Sequence, residues 1–181
     1  MITLVIGAPA CGKSRLAEDL SLRTGDRTRY YLATMHVMDD LGARRVEQHR
    51  KQREGKGFIT IERGTDLGGA LGEMPHPESS TVLLECVSNL VGNEMHEDPF
   101  YSGLDEDAFA ERIAEEIRGL AGRVHHLIIV SAIYPSGDPS YDESTLRYIR
   151  YLDTVNHRLR ALADEIHDLS AGDGAEREGR S

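Results

Sequence analysis

An α/β fold, with a mostly parallel sheet and helices on both faces, is what this 181-residue sequence predicts, and three observations predict it. Short apolar runs alternate with longer segments of helical periodicity, the pattern that strand–helix–strand units produce. The first apolar run, Ile2-Thr3-Leu4-Val5-Ile6, leads into Gly7-Ala8-Pro9-Ala10-Cys11-Gly12-Lys13-Ser14, which fits G-x-x-x-x-G-K-[ST] in the strand, loop and helix setting that motif requires. No internal repeat and no linker divides the chain, so residues 1–170 are expected to form one domain and 171–181 a polar tail.

The loop makes the fold P-loop NTPase-like. Gly7 and Gly12 permit backbone conformations and close approach that a side chain would block, so N–H groups of Gly7, Ala8, Ala10, Cys11, Gly12, Lys13 and Ser14 can surround phosphate oxygens, with Pro9, which has no N–H to give, as part of the same candidate nucleotide-binding loop. Lys13 supplies a cation for the outer phosphates and is the candidate catalytic charge. The Ser14 hydroxyl is a candidate ligand for Mg2+. A helix over 15–22, its positive end beginning near Lys13, completes the anion site.

After a polar turn, Thr24-Gly25-Asp26, the run Arg29-Tyr30-Tyr31-Leu32-Ala33 predicts the second strand. Thr34, Met35 and His36 follow at its carboxyl end, the edge where open α/β sheets bind ligands, and are candidate nucleotide contacts. A helix is expected over 39–53, capped by Asp39 or Asp40. It is strongly basic within an acidic chain, carrying Arg44, Arg45, Arg50, Lys51 and Arg53, and His49 lies four residues from both Arg45 and Arg53, on one helical face. Read from charge alone, this is either a solvated face or a polyphosphate contact.

Residues 58–62 read as a strand, 66–72 as a weak helix rich in glycine, and 74–80 as a loop with two prolines. Thr81-Val82-Leu83-Leu84-Glu85 is a buried strand ending in an acid. Glu85 is therefore a candidate to hold the metal or its water, or else to cap the helix that follows. Helices are expected over 87–96, 105–120 and 142–162, strands over 127–130 and 165–169, with a loop marked by Pro135, Gly137 and Pro139.

Composition narrows the partners. With 39% apolar residues, 29% charged residues and a formal net charge of −10, the chain would be repelled by nucleic acid and by anionic membranes. It opens directly on a strand and has no run near the ~20 apolar residues of a membrane span, so a cytoplasmic address is expected. Cys11 and Cys86 are the two cysteines, and both are expected to be reduced.

These residues resemble the bifunctional adenosylcobinamide kinase and adenosylcobinamide-phosphate guanylyltransferase family. The resemblance runs to about residue 169 and rests on the phosphate loop and on Tyr31-Leu32-Ala33-Thr34, Arg45-Val46-Glu47-Gln48-His49-Arg50, Thr60-Ile61-Glu62, Leu83-Leu84-Glu85-Cys86, Asn156 and Ala163-Asp164-Glu165. The basic helix with its histidine is the family-specific part. The resemblance implies that His49 is a nucleophile accepting GMP from GTP, and that Arg50, Lys51, Gln52 and Arg53, with Glu62 and Glu85, contribute to the nucleotide site. It also implies ATP or GTP and a corrinoid as substrates, and a homotrimer.

Elementary chemistry agrees with that role. Neighbouring cations such as Arg45 and Arg53 lower a histidine's pKa from about 6.5, which favours the neutral, nucleophilic imidazole. They would also neutralise charge at the attacked phosphate. The chain departs from the family pattern at Ala132-Ile133, where Asn-Glu is expected, and in a poorly apolar last strand. These departures keep two rivals open: a single-activity P-loop kinase for another small alcohol, and a catalytically silent nucleotide-binding regulatory protein.

Overall fold

The computed structural model describes residues 1–36, 51, 54–97, 101 and 103–170. Of the expected basic helix over 39–53, only Lys51 is among them, in helical conformation; the rest of that expectation, and the tail over 171–181, lie outside the described residues.

Six strands form one sheet: β1 Ile2–Gly7, β2 Thr28–Ala33, β3 Phe58–Glu62, β4 Ser80–Glu85, β5 His126–Ala132 and β6 Glu165–Asp168. Their order across the sheet is β3-β2-β4-β5-β1-β6, and every pairing is parallel. The α-helices among the described residues are α1 Lys13–Arg23, α2 Val87–Glu97, α3 Glu106–Ala121 and α4 Glu143–Leu162.

The alternation of strand side chains explains why helices cover both faces. On β1, Leu4 and Ile6 join one core cluster while Val5 joins another; Val82 and Leu84 part from Leu83 on β4 in the same way, and Leu127 and Ile129 part from Ile128 and Val130 on β5. Both sets are buried, so neither face can meet water. Helix α1 covers the Val5, Leu83 and Ile128 face through Ala17. On the other face Phe109, Ile113 and Ile117 of α3 and Leu152, Val155 and Leu159 of α4 pack, each set at helical spacing. Asp105 and Asp142 cap α3 and α4 by accepting from the N–H groups of Ala108 and Thr145.

Several boundaries differ from the periodicity. α1 starts at Lys13, two residues earlier, because its first turn is the end of the phosphate loop and carries no apolar stripe. β5 extends through Ser131 and Ala132: Ser131 is buried, and its hydroxyl donates to Oδ1 of Asn156 on α4, whose Nδ2 donates to the Ala132 carbonyl. The glycine-rich stretch is a 3-10 helix, Leu67–Glu73, with Asp66 accepting from the Gly69 N–H. A 3-10 turn, Pro77–Ser79, leads into β4 in place of a plain loop.

At the amino edge of the sheet, Asp26 ties the α1–β2 connection to β4 and β5. It accepts from Thr81, and both of its oxygens face imidazoles, those of His125 and His126. Burial pushes its carboxyl upward, but the bonds to His126, Thr81 and His125 outweigh that and hold it at about 2. Among the described residues, no helix is long and apolar enough to cross a membrane.

Candidate functional site

The phosphate loop leaves β1, between β5 and β6, at the carboxyl edge of the sheet. Ala10 (φ 60) and Gly12 (φ 92) both adopt the left-handed region, which alternates the backbone into a concavity where successive N–H groups can converge on an anion. Gly7 has no room for a side chain: an added Cβ would meet Cys11 Sγ and the backbone carbon of Leu169, each at 2.9 Å. The first helical bond of α1 runs from the Leu16 N–H to the Gly12 carbonyl, 3.1 Å, so by helix geometry the N–H groups of Lys13, Ser14 and Arg15 have no intrahelical acceptor. These groups and the helix dipole make the start of α1 an anion site.

Two side chains from that turn are drawn into the site. Lys13 is buried, its ammonium donating to the Ala8 carbonyl with Cys11 Sγ at 3.7 Å. The Ser14 hydroxyl donates to Oε1 of Glu85, the last residue of β4. A hydroxyl and a carboxylate placed together at the end of a phosphate loop are hard oxygen donors. They fit Mg2+, which takes one or two protein ligands and keeps waters and phosphate oxygens for the rest. Glu85 is 9% exposed, so its ionised form calls for such company.

A cleft of about 270 Å³ opens beside this pair. Pro9, Ala10, Lys13 and Ser14 line one side, Met35 and Glu85 another, and Ser88, Asn89 and Tyr134 a third. The last three carried no signal in the sequence. They follow β4 and β5, and only the sheet order brings the ends of those strands beside β1 and the loop it feeds.

Thr34 serves the site from behind. It is fully buried, its hydroxyl donating to the Cys86 carbonyl at 2.7 Å and accepting from the Cys86 N–H at 2.8 Å, while its N–H donates to the Glu85 carbonyl. The Glu85–Cys86 peptide held by these bonds is cis. Asn93 of α2 bridges the carbonyls of Thr34 and Gly64, at 2.8 and 2.9 Å. His36 is exposed and packs over Gly64, where any Cβ would collide with its ring. Glu62 is exposed at the end of β3, in register with Ala33 of β2, which is itself in register with Glu85. Thr34, His36 and Glu62 thus share the carboxyl edge without lining this cleft. Lys51 is exposed, and His49, Arg50, Gln52 and Arg53 lie outside the described residues.

The far wall is polar but uncharged. Burial pushes up the Cys86 thiol, whose sulfur lies 2.9 Å from Ser88 Oγ, and burial likewise raises the Tyr134 and Tyr148 phenols, so all three stay neutral near pH 7. Tyr148 donates to the Ser88 carbonyl at 2.9 Å and fixes that wall. Cys11 and Cys86 are free thiols, as expected. Ala132 and Ile133 do not leave a gap: Ala132 is buried, and the Ile133 N–H donates to the Gly7 carbonyl at 3.0 Å, splinting the start of the phosphate loop.

Comparison with known proteins places these features in context. The family model described as cobinamide kinase / cobinamide phosphate guanyltransferase matches residues 3–176. The chain is 32% identical over 185 aligned positions to the bifunctional adenosylcobalamin biosynthesis protein CobU of Escherichia coli, covering 96% of this chain and 98% of that one. It is 28% identical over 184 positions to the protein of the same name from Salmonella typhimurium, with the same coverage. Among solved structures, the flagellar accessory protein FlaH of Methanocaldococcus jannaschii superposes with a TM-score of 0.48 at 16% identity, over 92% of this chain and 70% of that one.

Proposed function

Because this chain belongs to the cobinamide kinase / cobinamide phosphate guanyltransferase family, we propose that it phosphorylates adenosylcobinamide with ATP or GTP and then guanylylates the product through a GMP–histidine intermediate on His49. Membership of that family makes it an enzyme of cobalamin biosynthesis with P-loop NTPase-like architecture. The observation that carries the kinase half is the Ser14–Glu85 contact at the head of α1, beside the cleft. The guanylyl half rests on family membership and on the placement of His49 among Arg45, Arg50 and Arg53 in the sequence.

In the first reaction the loop N–H groups and Lys13 hold the β- and γ-phosphates, and Lys13 offsets the charge that spreads over the transferred group. Ser14 and Glu85 would hold Mg2+, which would supply positive charge to offset that of the phosphates. The acceptor is the hydroxyl of the aminopropanol arm. Its oxygen forms the new P–O bond as the bond to the nucleoside diphosphate breaks and the hydroxyl proton is given up to solvent. Ser88, Asn89 and Tyr134, neutral hydrogen-bonding groups on the opposite wall, orient that arm without repelling it.

In the second reaction the neutral His49 imidazole attacks the α-phosphorus of GTP, forming a P–N bond and releasing pyrophosphate. A phosphate oxygen of the phosphorylated corrinoid then attacks the same phosphorus, breaking the P–N bond and giving adenosylcobinamide-GDP. Met35, His36, Glu62 and the basic run Arg50, Lys51, Gln52 and Arg53 complete the nucleotide surface in this reading, with buried Thr34 bracing the Glu85–Cys86 backbone beneath it. One domain over 1–170, assembled as a homotrimer in the cytoplasm, carries both reactions.

GTP labelled in its α-phosphate tests the reading. The wild-type chain takes up an acid-labile, alkali-stable label and His49→Ala takes up none, while Lys13→Ala loses phosphorylation of adenosylcobinamide. Label retained by His49→Ala, or absent from the wild type, removes the guanylyl half. Absence of any phosphorylated corrinoid removes the kinase half.

A further inference from the structure

The amino edge of the sheet holds a second cluster of chemistry that neither transfer reaction uses. His125 Nδ1 lies 2.8 Å from Oδ1 of Asp26, and His126 Nδ1 lies 3.0 Å from Oδ2 of the same carboxylate. One ligand atom from each of the three residues falls within 4.8 Å of the others. β4, which separates this edge from Glu85, has six residues, or roughly 20 Å at about 3.3 Å per residue. The cluster is therefore remote from the phosphate loop.

We propose that Asp26, His125 and His126 form a binding site for a divalent first-row transition ion of the Zn2+ type, tying the α1–β2 connection to the start of β5. The donor set is two imidazole nitrogens and one carboxylate oxygen, which suits Zn2+, Co2+ or Ni2+ rather than Mg2+ or Ca2+. An ion bonded at about 2.0–2.1 Å to three tetrahedral ligands sets them roughly 3.3 Å apart. Small side-chain rotations bring the three atoms to that spacing. Each neutral ring then presents the Nδ1 lone pair to the ion, with its proton on Nε2.

The surroundings are those of a supported site. The Thr81 hydroxyl donates to Oδ2 of Asp26 at 2.7 Å, and Thr24 Oγ1 lies 2.7 Å from Thr81 Oγ1, so the carboxylate is oriented from behind. The Asp26 and His126 side chains are only 10% and 15% exposed, whereas His125 is 56% exposed and leaves a route of entry. The two rings lie close, with centroids 4.2 Å apart. Across β4 and β5 the pairing Thr81↔His126 is in strand register, so one ligand, His126, and the Thr81 that orients the carboxylate both rest on the sheet and not on a loop.

The test uses the untagged full chain, stripped of metal and titrated with Co2+ alone. A saturable visible d–d absorption of tetrahedral strength is expected, displaced by one equivalent of Zn2+. It disappears in His126→Ala and in His125→Ala, the second being an exposed position where folding is not at stake. It survives in Ser14→Ala, which separates it from any ion at the phosphate loop. Thr81→Val weakens Co2+ binding by roughly tenfold, as loss of an orienting partner does. Zn2+ raises the Tm of the wild type but not of His125→Ala. No saturable absorption, or absorption unchanged in both histidine variants, overturns the proposal and leaves a hydrogen-bonded clasp.

Discussion

The Ser14 hydroxyl donates to Oε1 of Glu85, joining the first turn of α1 to the last residue of β4. The two residues are 71 positions apart in the chain, and the parallel order β4-β5-β1 is what brings their ends together. The contact sets a kinetic expectation. Ser14→Ala and Glu85→Gln should each lower kcat for corrinoid phosphorylation by roughly 10²-fold or more, because the first removes the hydroxyl and the second the negative charge of the metal-holding pair. The double variant should be little worse than either single one, since residues that act as a unit are not additive. Steady-state kinetics across a Mg2+ titration checks this.

Close packing around Gly7 makes the loop intolerant of a methyl group. Gly7→Ala should cost about 1–3 kcal/mol of overpacking and displace Cys11 or Leu169, weakening nucleotide binding in calorimetry. Gly119→Ala, in the interior of α3 where an added Cβ meets nothing within 4 Å, should instead stabilise the chain by roughly 0.5–1 kcal/mol.

Asn156 is 5% exposed and serves two partners, the Ser131 hydroxyl and the Ala132 carbonyl. Asn156→Leu leaves both without it and should lower unfolding free energy by roughly 2–4 kcal/mol in urea denaturation. Adding Ser131→Ala should recover part of the loss, since a removed hydroxyl no longer needs a partner.

Asp168 closes β6. Bonds from Ser170 and Arg160 hold its carboxyl at about 2, against an ordinary 3.8. A folded-state pKa below the unfolded one means that the ionised group adds stability above pH 4 or so, and that this contribution fades as pH falls toward about 2. The stability difference between the wild type and Asp168→Asn should therefore be constant near neutrality and shrink across that interval. Denaturation curves at a series of pH values measure it. The group is partly exposed, so added salt should reduce the difference as well.

Much of the fold was legible because parallel strands buried on both faces read as short apolar runs, and helices covering them read at a period near 3.6. The strands at Ile2–Gly7, Ser80–Glu85 and His126–Ala132 and the helices α3 and α4 needed little more than that. Glu62 and Glu85 show where such reading stops. Both are acids at strand ends, yet Glu62 is exposed at the end of the edge strand β3, whereas Glu85, nearer the centre, meets Ser14. Thr34 looked like a nucleotide contact by position, and the fold engages its hydroxyl with the Cys86 backbone.

Taken alone, the amino-acid order determined the phosphate loop, the parallel α/β class and the family, since each depends on residues adjacent or regularly spaced along the chain. Tertiary structure decided which strand ends converge: it selected Glu85 to meet Ser14, set Ser88, Asn89 and Tyr134 across the cleft, and gathered Asp26 with His125 and His126 at the opposite edge. Such meetings follow from strand order, and strand order is fixed by packing between segments far apart in sequence, which local periodicity does not encode.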